Sequence, residues 1–193
     1  GVVFFLHGNA GNLESWFVNA DFYRRANFDL VMLDYRGYGK SSGRIASEEQ
    51  LHGDVSAVWQ QVAPRYAGKR IVFYGRSLGT GLAARLAVQS PPDLTMLVSP
   101  YESMVALART HYPWVPGALL RYPLRTDEHI GRIRGPLVLL HGELDTLIPP
   151  AHSEALRTRA PQARLVLVPG GGHNDLQQFD SYLQAVSAAL RAL

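Results

Sequence analysis

The chain has 193 residues, of which 47% are hydrophobic and 18% charged, which is the composition of a folded chain and predicts one domain spanning residues 1–193. It has no cysteine, and this excludes a disulfide scaffold, a thiolate zinc site and a cysteine nucleophile. The formal net charge is only +3 and the basic residues are dispersed, so we expect no nucleic-acid partner. No apolar run approaches the roughly 20 residues that a membrane-spanning helix needs.

Short apolar runs alternate with helical patterns along the chain, which is typical of an α/β fold with a mostly parallel central sheet flanked by helices. Strands covered on both faces are continuously apolar, and such runs predict strands at residues 2–6, 30–33, 71–74, 94–98, 137–140 and 165–168. Helices are predicted after the capping box at residues 47–50, over residues 78–89 and over residues 149–159. A last helix is predicted from apolar residues at helical spacing, namely Leu176, Phe179, Leu183, Val186 and Leu190.

The sequence Gly75-Arg76-Ser77-Leu78-Gly79 is a G-x-S-x-G motif between a predicted strand and a predicted helix. In that context the backbone makes a sharp turn that lifts the serine hydroxyl above the sheet, at a helix N-terminus that favours negative charge. A tight turn with a capping serine is the alternative. We interpret Ser77 as a catalytic nucleophile.

A serine nucleophile needs a histidine base and an acid, which follow it along this type of sheet in the order Ser, Asp or Glu, His. His173 comes directly after the last predicted strand, whereas the other histidines that follow Ser77 lie in a helix, in an insertion or before the acid. Asp145 follows the fifth predicted strand and is our preferred acid, with Glu143 and Glu102 as alternatives.

An oxyanion hole needs backbone donors that are already in place. One is expected to be the N–H of Leu78, the residue after the nucleophile. The second is expected from the glycine-rich loop after the first strand, where the N–H of Asn9 is preferred and that of Ala10 is the alternative. A plain glycine turn would be the default if this loop stood alone.

Five segments together resemble the α/β-hydrolase superfamily: HGNAGN at 7–12, DYRGYGKSSG at 34–43, GRSLGTG at 75–81, HGELDTLIP at 141–149 and PGGGHND at 169–175. More narrowly they resemble a subgroup of serine-aminopeptidase-like hydrolases and esterases that is similar to protein depalmitoylases. The resemblance implies Ser77 as nucleophile, Asp145 as acid and His173 as base. It also implies that three residues of the second segment brace the site, namely Asp34, Arg36 and Gly37.

The chain departs from this superfamily in two places. Members usually have further strands before the strand at residues 2–6, so we expect the chain to lack the first strands of the sheet, and its membrane association and compartment stay open. The insert at residues 101–135 is too short for a large cap and predicts a small lid. Tyr101, Tyr112 and Trp114 in this insert are predicted to bind substrate by lining an acyl groove, with a packing role as the alternative.

These observations predict a serine hydrolase that cleaves acyl esters or thioesters through an acyl-enzyme, acting on a small-molecule or acylated substrate. No metal or organic cofactor is expected. A serine aminopeptidase, a lipase or protein depalmitoylase, and a non-catalytic binding protein on the same fold are the alternatives.

Overall fold

The computed structural model of the chain describes residues 1–16, 20–114 and 116–193. Across these residues one open sheet of six parallel strands runs in the order β2-β1-β3-β4-β5-β6. The strands are β1 (Val2–Leu6), β2 (Asp29–Met32), β3 (Ile71–Arg76), β4 (Leu94–Val98), β5 (Leu137–Gly142) and β6 (Arg164–Val168). The predicted α/β class with a parallel sheet is confirmed.

The helices lie on both faces of this sheet. Their bounds are α1 (Leu13–Trp16), α2 (Ala20–Arg25), α3 (Glu48–Val62), α4 (Leu78–Gln89), α5 (Met104–His111), α6 (Thr126–His129), α7 (Ala151–Arg159) and α8 (Asp180–Arg191). The predicted last helix begins later than its apolar pattern, because Leu176–Gln178 form a 3₁₀ turn and Phe179 is extended before α8 starts.

Alternate residues of each central strand enter two different apolar cores, which explains why the strands are continuously hydrophobic. Phe4 of β1 packs with Trp59 of α3 on one face of the sheet. Phe5, the next residue, packs on the opposite face in the same core as Val186 of α8. Burial on both faces fixes the strand ends, and the loops that follow those ends therefore start from rigid positions.

The predicted insert lies between β4 and β5 and contains α5, α6 and the 3₁₀ turns Gly117–Leu119 and Ile130–Arg132. It is tied to the rest of the fold by polar contacts, since Leu124 N–H donates to a Glu48 carboxylate oxygen of α3 at 2.9 Å. Residue 115 of the insert lies outside the described residues. Among the described helices, none combines the length and apolar character needed to cross a membrane.

Candidate active site

Ser77 is the single residue between the end of β3 and the start of α4, and its backbone is strained. Its φ of 51° and ψ of −119° lie outside the regions that a serine ordinarily occupies. Its N–H donates to the Val98 carbonyl at 2.9 Å, which ties the turn to the next strand. A Cβ on Gly79 would collide with the Leu6 carbonyl, and one on Gly75 would lie 2.7 Å from the Cα of Thr80. The two glycines therefore allow the close packing that this turn requires.

The structure brings Ser77, His173 and Asp145 into one chain of contacts. Nε2 of His173 lies 3.1 Å from the Ser77 hydroxyl oxygen. Nδ1 of His173 lies 2.7 Å from Oδ2 of Asp145. An ionised carboxylate can only accept, so Nδ1 carries the proton and donates it to Asp145. Nε2 is then the acceptor that faces the serine O–H, which is the tautomer that a general base needs.

Asp145 is held as a buried, ionised acceptor. Its side chain is fully enclosed and its Oδ1 accepts the N–H groups of Leu147 at 3.0 Å and Ile148 at 2.8 Å. Burial alone would raise the pKa of Asp145, but hydrogen bonds from His141, His173 and the Ile148 N–H outweigh it and hold this pKa well below its usual range. The carboxylate is therefore charged near neutral pH.

The two alternative acids lie elsewhere. Glu143 is exposed on the same loop as Asp145. Glu102 faces His152, whose Nδ1 lies 3.4 Å from a carboxylate oxygen of Glu102. His141, which we expected to be structural, contacts Ser153 through Nδ1 at 2.6 Å, donates through Nε2 to the Ile148 carbonyl at 2.7 Å and lies 3.4 Å from Asp145. His141 is therefore next to the Asp145 carboxylate and helps to hold it in place.

The loop after β1 passes directly beside Ser77. A Cβ on Gly8 would lie 3.3 Å from the Cβ of Ser77, so glycine allows the backbone to approach. Leu78 is the first residue of α4, and its N–H has no acceptor within that helix. Asn9 and Leu78 line the same groove, and the Asn9 side chain accepts a hydrogen bond from the Tyr38 hydroxyl at 2.6 Å. The loop that carries Asn9 and the first residue of α4, Leu78, therefore both adjoin Ser77.

The segment at residues 34–43 contacts elements that surround the site, namely α1 and α3. An oxygen of Asp34 accepts the Leu13 N–H at 2.9 Å, just after the oxyanion loop. Arg36 makes a two-fold hydrogen bond to Asp54 of α3, at 2.7 and 2.9 Å. Gly37 has a φ of 80°. These contacts fit the bracing role that the resemblance implies for Asp34, Arg36 and Gly37.

A groove of about 630 Å³ lies beside Leu78, the residue after Ser77, between the insert and Leu147 of the loop that carries Asp145. Its lining is mainly apolar and includes Ile45, Met104, Leu107, Tyr112, Leu120 and Leu147. Tyr112 lines the groove as predicted and remains 57% exposed. No acidic residue is found among the described residues that line it. The groove therefore fits an apolar chain better than a charged one.

The structure contradicts the predicted substrate contact of Tyr101. Its side chain is 0% exposed and its hydroxyl donates to the Leu78 carbonyl at 3.0 Å, so it packs beneath α4. Trp114 is 75% exposed at the rim, with its ring edge-to-face against Tyr112, and does not line the groove. An aromatic residue in the insert is therefore not by itself a sign of substrate binding.

The sequence analysis missed Arg76, the residue immediately before the nucleophile. Its guanidinium donates to the His173 carbonyl at 3.0 Å and to the Gln177 side-chain oxygen at 3.2 Å. It also lies over the Trp16 ring, 5.4 Å from the ring centroid. The only signal in the sequence was a charged residue at the end of an otherwise apolar strand. Arg76 therefore connects the nucleophile turn to the histidine loop.

A parallel sheet with a serine turn after β3, followed along the chain by a buried aspartate loop and a histidine loop, defines the α/β-hydrolase fold. The family model described as serine aminopeptidase, S33, matches residues 1–121, and the chain belongs to this family within the α/β-hydrolase superfamily.

Two similar relatives come from distant organisms. An uncharacterized protein of Mycobacterium tuberculosis is 36% identical over 180 residues, which cover 90% of this chain and 63% of the relative. Human alpha/beta hydrolase domain-containing protein 17C is 32% identical over 186 residues, which cover 93% of this chain and 55% of the relative. The chain thus spans 55% to 63% of the length of these two relatives.

Solved structures share the fold. The monoacylglycerol lipase of Paleococcus ferrophilus superposes with a TM-score of 0.78 at 20% identity, covering 100% of this chain and 94% of that one. An esterase of Pyrococcus furiosus superposes with a TM-score of 0.76 at 20% identity, covering 99% of this chain and 81% of that one. At this identity the likeness concerns the fold alone.

Proposed function

We propose that the protein is a serine hydrolase that cleaves acyl esters or thioesters. The observation that carries this proposal is the contact chain from Ser77 through His173 to Asp145, with separations of 3.1 and 2.7 Å, next to an apolar groove that Leu78 lines.

In the first half-reaction the Ser77 oxygen attacks the acyl carbonyl carbon while Nε2 of His173 takes the hydroxyl proton. Asp145 keeps the imidazole in this orientation and stabilises its charged form. The N–H groups of Leu78 and Asn9 hold the negative carbonyl oxygen of the tetrahedral intermediate. The bond to the leaving group then breaks, His173 returns the proton to the leaving atom, and the acyl group remains on Ser77.

In the second half-reaction water replaces the leaving group. His173 removes a proton from water, whose oxygen attacks the acyl carbon, and the same two N–H groups hold the oxyanion again. Collapse of this intermediate releases a carboxylic acid and returns the proton to Ser77. Each proton that His173 accepts is thus given back within the same half-reaction.

The apolar groove predicts how the rate depends on the acyl chain. Burying one methylene stabilises a complex by about 0.8 kcal/mol, which corresponds to a roughly 4-fold gain in kcat/KM per methylene until the groove is filled. Nitrophenyl esters of increasing chain length measure this gain. Leu107→Trp would shorten the groove and should lower the rate for long chains only. A flat profile in the unmodified protein would contradict an acyl role for the groove.

The family description favours serine aminopeptidase activity as a second candidate. An aminopeptidase must bind the ammonium group of its substrate, and this calls for a carboxylate near the acyl site. Among the described residues no carboxylate lines the groove, and Glu102 at the start of the insert faces His152. We therefore favour esters. A panel of acyl esters against aminoacyl amides decides between the two, and faster cleavage of the amides would reverse our preference.

Labelling with a fluorophosphonate probe tests the serine chemistry without assuming a substrate. We expect the unmodified protein to be labelled, Ser77→Ala to remain unlabelled and His173→Ala to be labelled far more slowly. Thermal unfolding serves as the control that the variants are folded. A folded, unlabelled wild-type protein would refute the proposal and favour a non-catalytic binding protein.

A further inference from the structure

A second cavity, here called the polar pocket, is lined by Arg76, the residue before Ser77, whereas the acyl groove is lined by Leu78, the residue after it. The volume of the polar pocket is about 340 Å³, and it lies between the oxyanion loop and the histidine loop. Its lining differs in kind from that of the groove, since the polar residues Asn9, Ser15, Arg76, Asn174 and Gln177 line it beside Trp16. Asn9 is the residue that the described linings of the two cavities share.

The direction of proton transfer assigns a role to this side of the site. In the proposed mechanism His173 gives its proton to the leaving atom, so the leaving group must lie on the histidine side of the acyl carbon. Asn174 and Gln177 follow His173 in the chain and line the polar pocket. In the proposed mechanism the acyl chain occupies the groove beside Leu78, and the polar pocket adjoins the residues that follow His173, on the side where the leaving group departs.

The chemistry of the polar pocket centres on Arg76. This side chain is 7% exposed, and its hydrogen bonds go to neutral acceptors, the His173 carbonyl and the Gln177 amide oxygen. Among the described residues no carboxylate forms an ion pair with it, and its buried Nε has no hydrogen-bond partner.

A guanidinium has five N–H donors, and the two hydrogen bonds described above use only part of this capacity. Charged side chains this deeply buried are ordinarily paired, because removing an unpaired charge from water is costly. The Trp16 face offsets part of that cost by a cation–π contact. An oxyanion on the substrate would supply the missing negative partner.

We propose that the polar pocket selects leaving groups that carry a carboxylate or a phosphate, and that Arg76 is the residue that recognises this anion. The inference rests on the proposed serine-hydrolase function and adds the chemical class of the leaving group to it. Anion binding here places the leaving atom next to Nε2 of His173, where it is protonated on departure.

Two matched substrate pairs test the inference and distinguish carboxylate from phosphate. The first pair is 4-nitrophenyl butyrate and 3-carboxy-4-nitrophenyl butyrate. The second pair is butyryl-pantetheine and butyryl-4′-phosphopantetheine. A charge-assisted hydrogen bond predicts kcat/KM at least about 10-fold higher for the anionic member of one pair. No preference in either pair, with the neutral members hydrolysed, would overturn the inference and leave the proposed function standing.

Variants connect the preference to one residue. Arg76→Gln removes the charge and should bring the anionic-to-neutral ratio to about 1, while Arg76→Lys keeps the charge and should retain part of it. Arg76 also holds the histidine loop, so its loss is expected to slow both members, and only the ratio is diagnostic. Arg134→Gln is the control. Arg134 carries the same charge and precedes β5, so it lies at the N-terminal end of that strand, opposite the site, and its loss should leave the ratio unchanged.

The outcomes separate the two proposals. A ratio that falls equally in Arg76→Gln and Arg134→Gln would show a long-range effect of net charge and refute local recognition. If Arg76→Gln does not fold, the ratios of the wild-type protein and of Arg76→Lys still decide. Absence of both probe labelling and neutral ester hydrolysis would instead refute the serine-hydrolase function itself.

Discussion

Asp145→Asn removes the negative charge of the proposed acid and keeps nearly the same side-chain shape. The asparagine oxygen can keep both backbone hydrogen bonds, from Leu147 and Ile148, that Oδ1 of the aspartate accepts at 3.0 and 2.8 Å. Its NH₂ group then faces Nδ1 of His173, where the carboxylate oxygen lay at 2.7 Å. Two donors cannot share this contact, so Nδ1 becomes the acceptor and the proton moves to Nε2. His173 then presents a donor to Ser77 and cannot act as its base.

The expected loss of activity is large because the substitution has two effects. It stabilises the wrong tautomer of His173, and it removes the charge that stabilises the imidazolium. An equivalent Asp to Asn change in a serine protease lowers kcat by about 10⁴-fold, or roughly 5.5 kcal/mol of transition-state stabilisation, and we expect a loss of that order here. The measurements are the fluorophosphonate labelling rate and kcat for a neutral ester near neutral pH.

Glu143→Gln is the matched control, because it makes the same chemical change two residues earlier on the same loop at an exposed site. Its labelling rate should stay within about 2-fold of the wild-type rate, as expected for a surface change. Near-normal labelling of folded Asp145→Asn, together with a large loss in Glu143→Gln, would show that the acid has been misassigned.

Three further predictions concern stability and binding. The lowered pKa of Asp145 means that its stabilising contribution is present above the ordinary Asp pKa near 3.8 and is lost as the pH falls below it, so urea unfolding of Asp145→Asn should depend less on pH in that range. Burial lowers the pKa of His52 to about 4, although Glu48 lies 3.6 Å from its Nε2. Below about pH 6.5 the imidazole of the unfolded chain therefore binds a proton, whereas the imidazole of the folded chain stays neutral until about pH 4. His52→Gln should therefore reduce the loss of stability between about pH 6.5 and 4, by up to about 3 kcal/mol. Tyr101→Phe should lower the free energy of unfolding by about 1 kcal/mol without changing KM, whereas Tyr112→Ala should raise KM for long acyl esters without changing the melting temperature.

Each of these predictions has a clear contrary result. Parallel acid-unfolding profiles for wild type and Asp145→Asn would mean that the carboxylate contributes no charge-dependent stability. A steeper loss in His52→Gln than in wild type would mean that the folded state favours the charged imidazole. A rise in KM for Tyr101→Phe, with none for Tyr112→Ala, would return Tyr101 to the substrate-binding surface.

The sheet was predictable because burial on both faces leaves a simple pattern in the sequence. The predicted strands at residues 2–6 and 94–98 have the bounds of β1 and β4. The start of α8 was not predictable in this way, because Leu176 and Phe179 keep helical spacing across a 3₁₀ turn. Apolar periodicity reports which residues face the core, and one tight turn preserves that spacing while it changes the backbone.

The reactive residues were predictable for a different reason, namely that chain order on a parallel sheet restricts which loops can meet. Ser77 and His173 follow from the motif and the strand ends, and the structure places them in contact. Contacts made by side-chain packing leave no comparable signal. Tyr101 and Tyr112 look alike in the sequence, and only the path of the insert buries one and exposes the other. Arg76 was missed because the motif leaves its position unspecified.

The strained backbone conformation of Ser77 does not depend on the hydroxyl group that is proposed to react. The positive φ is imposed by the backbone bond to Val98 and by the close packing of Gly75 and Gly79, none of which involves the serine hydroxyl. Replacing the hydroxyl with another small group should therefore leave the turn, the adjacent N–H of Leu78 and both cavities where they are. A scaffold of this kind can exchange the side chain at the position of Ser77 and still keep the same cavities for a ligand.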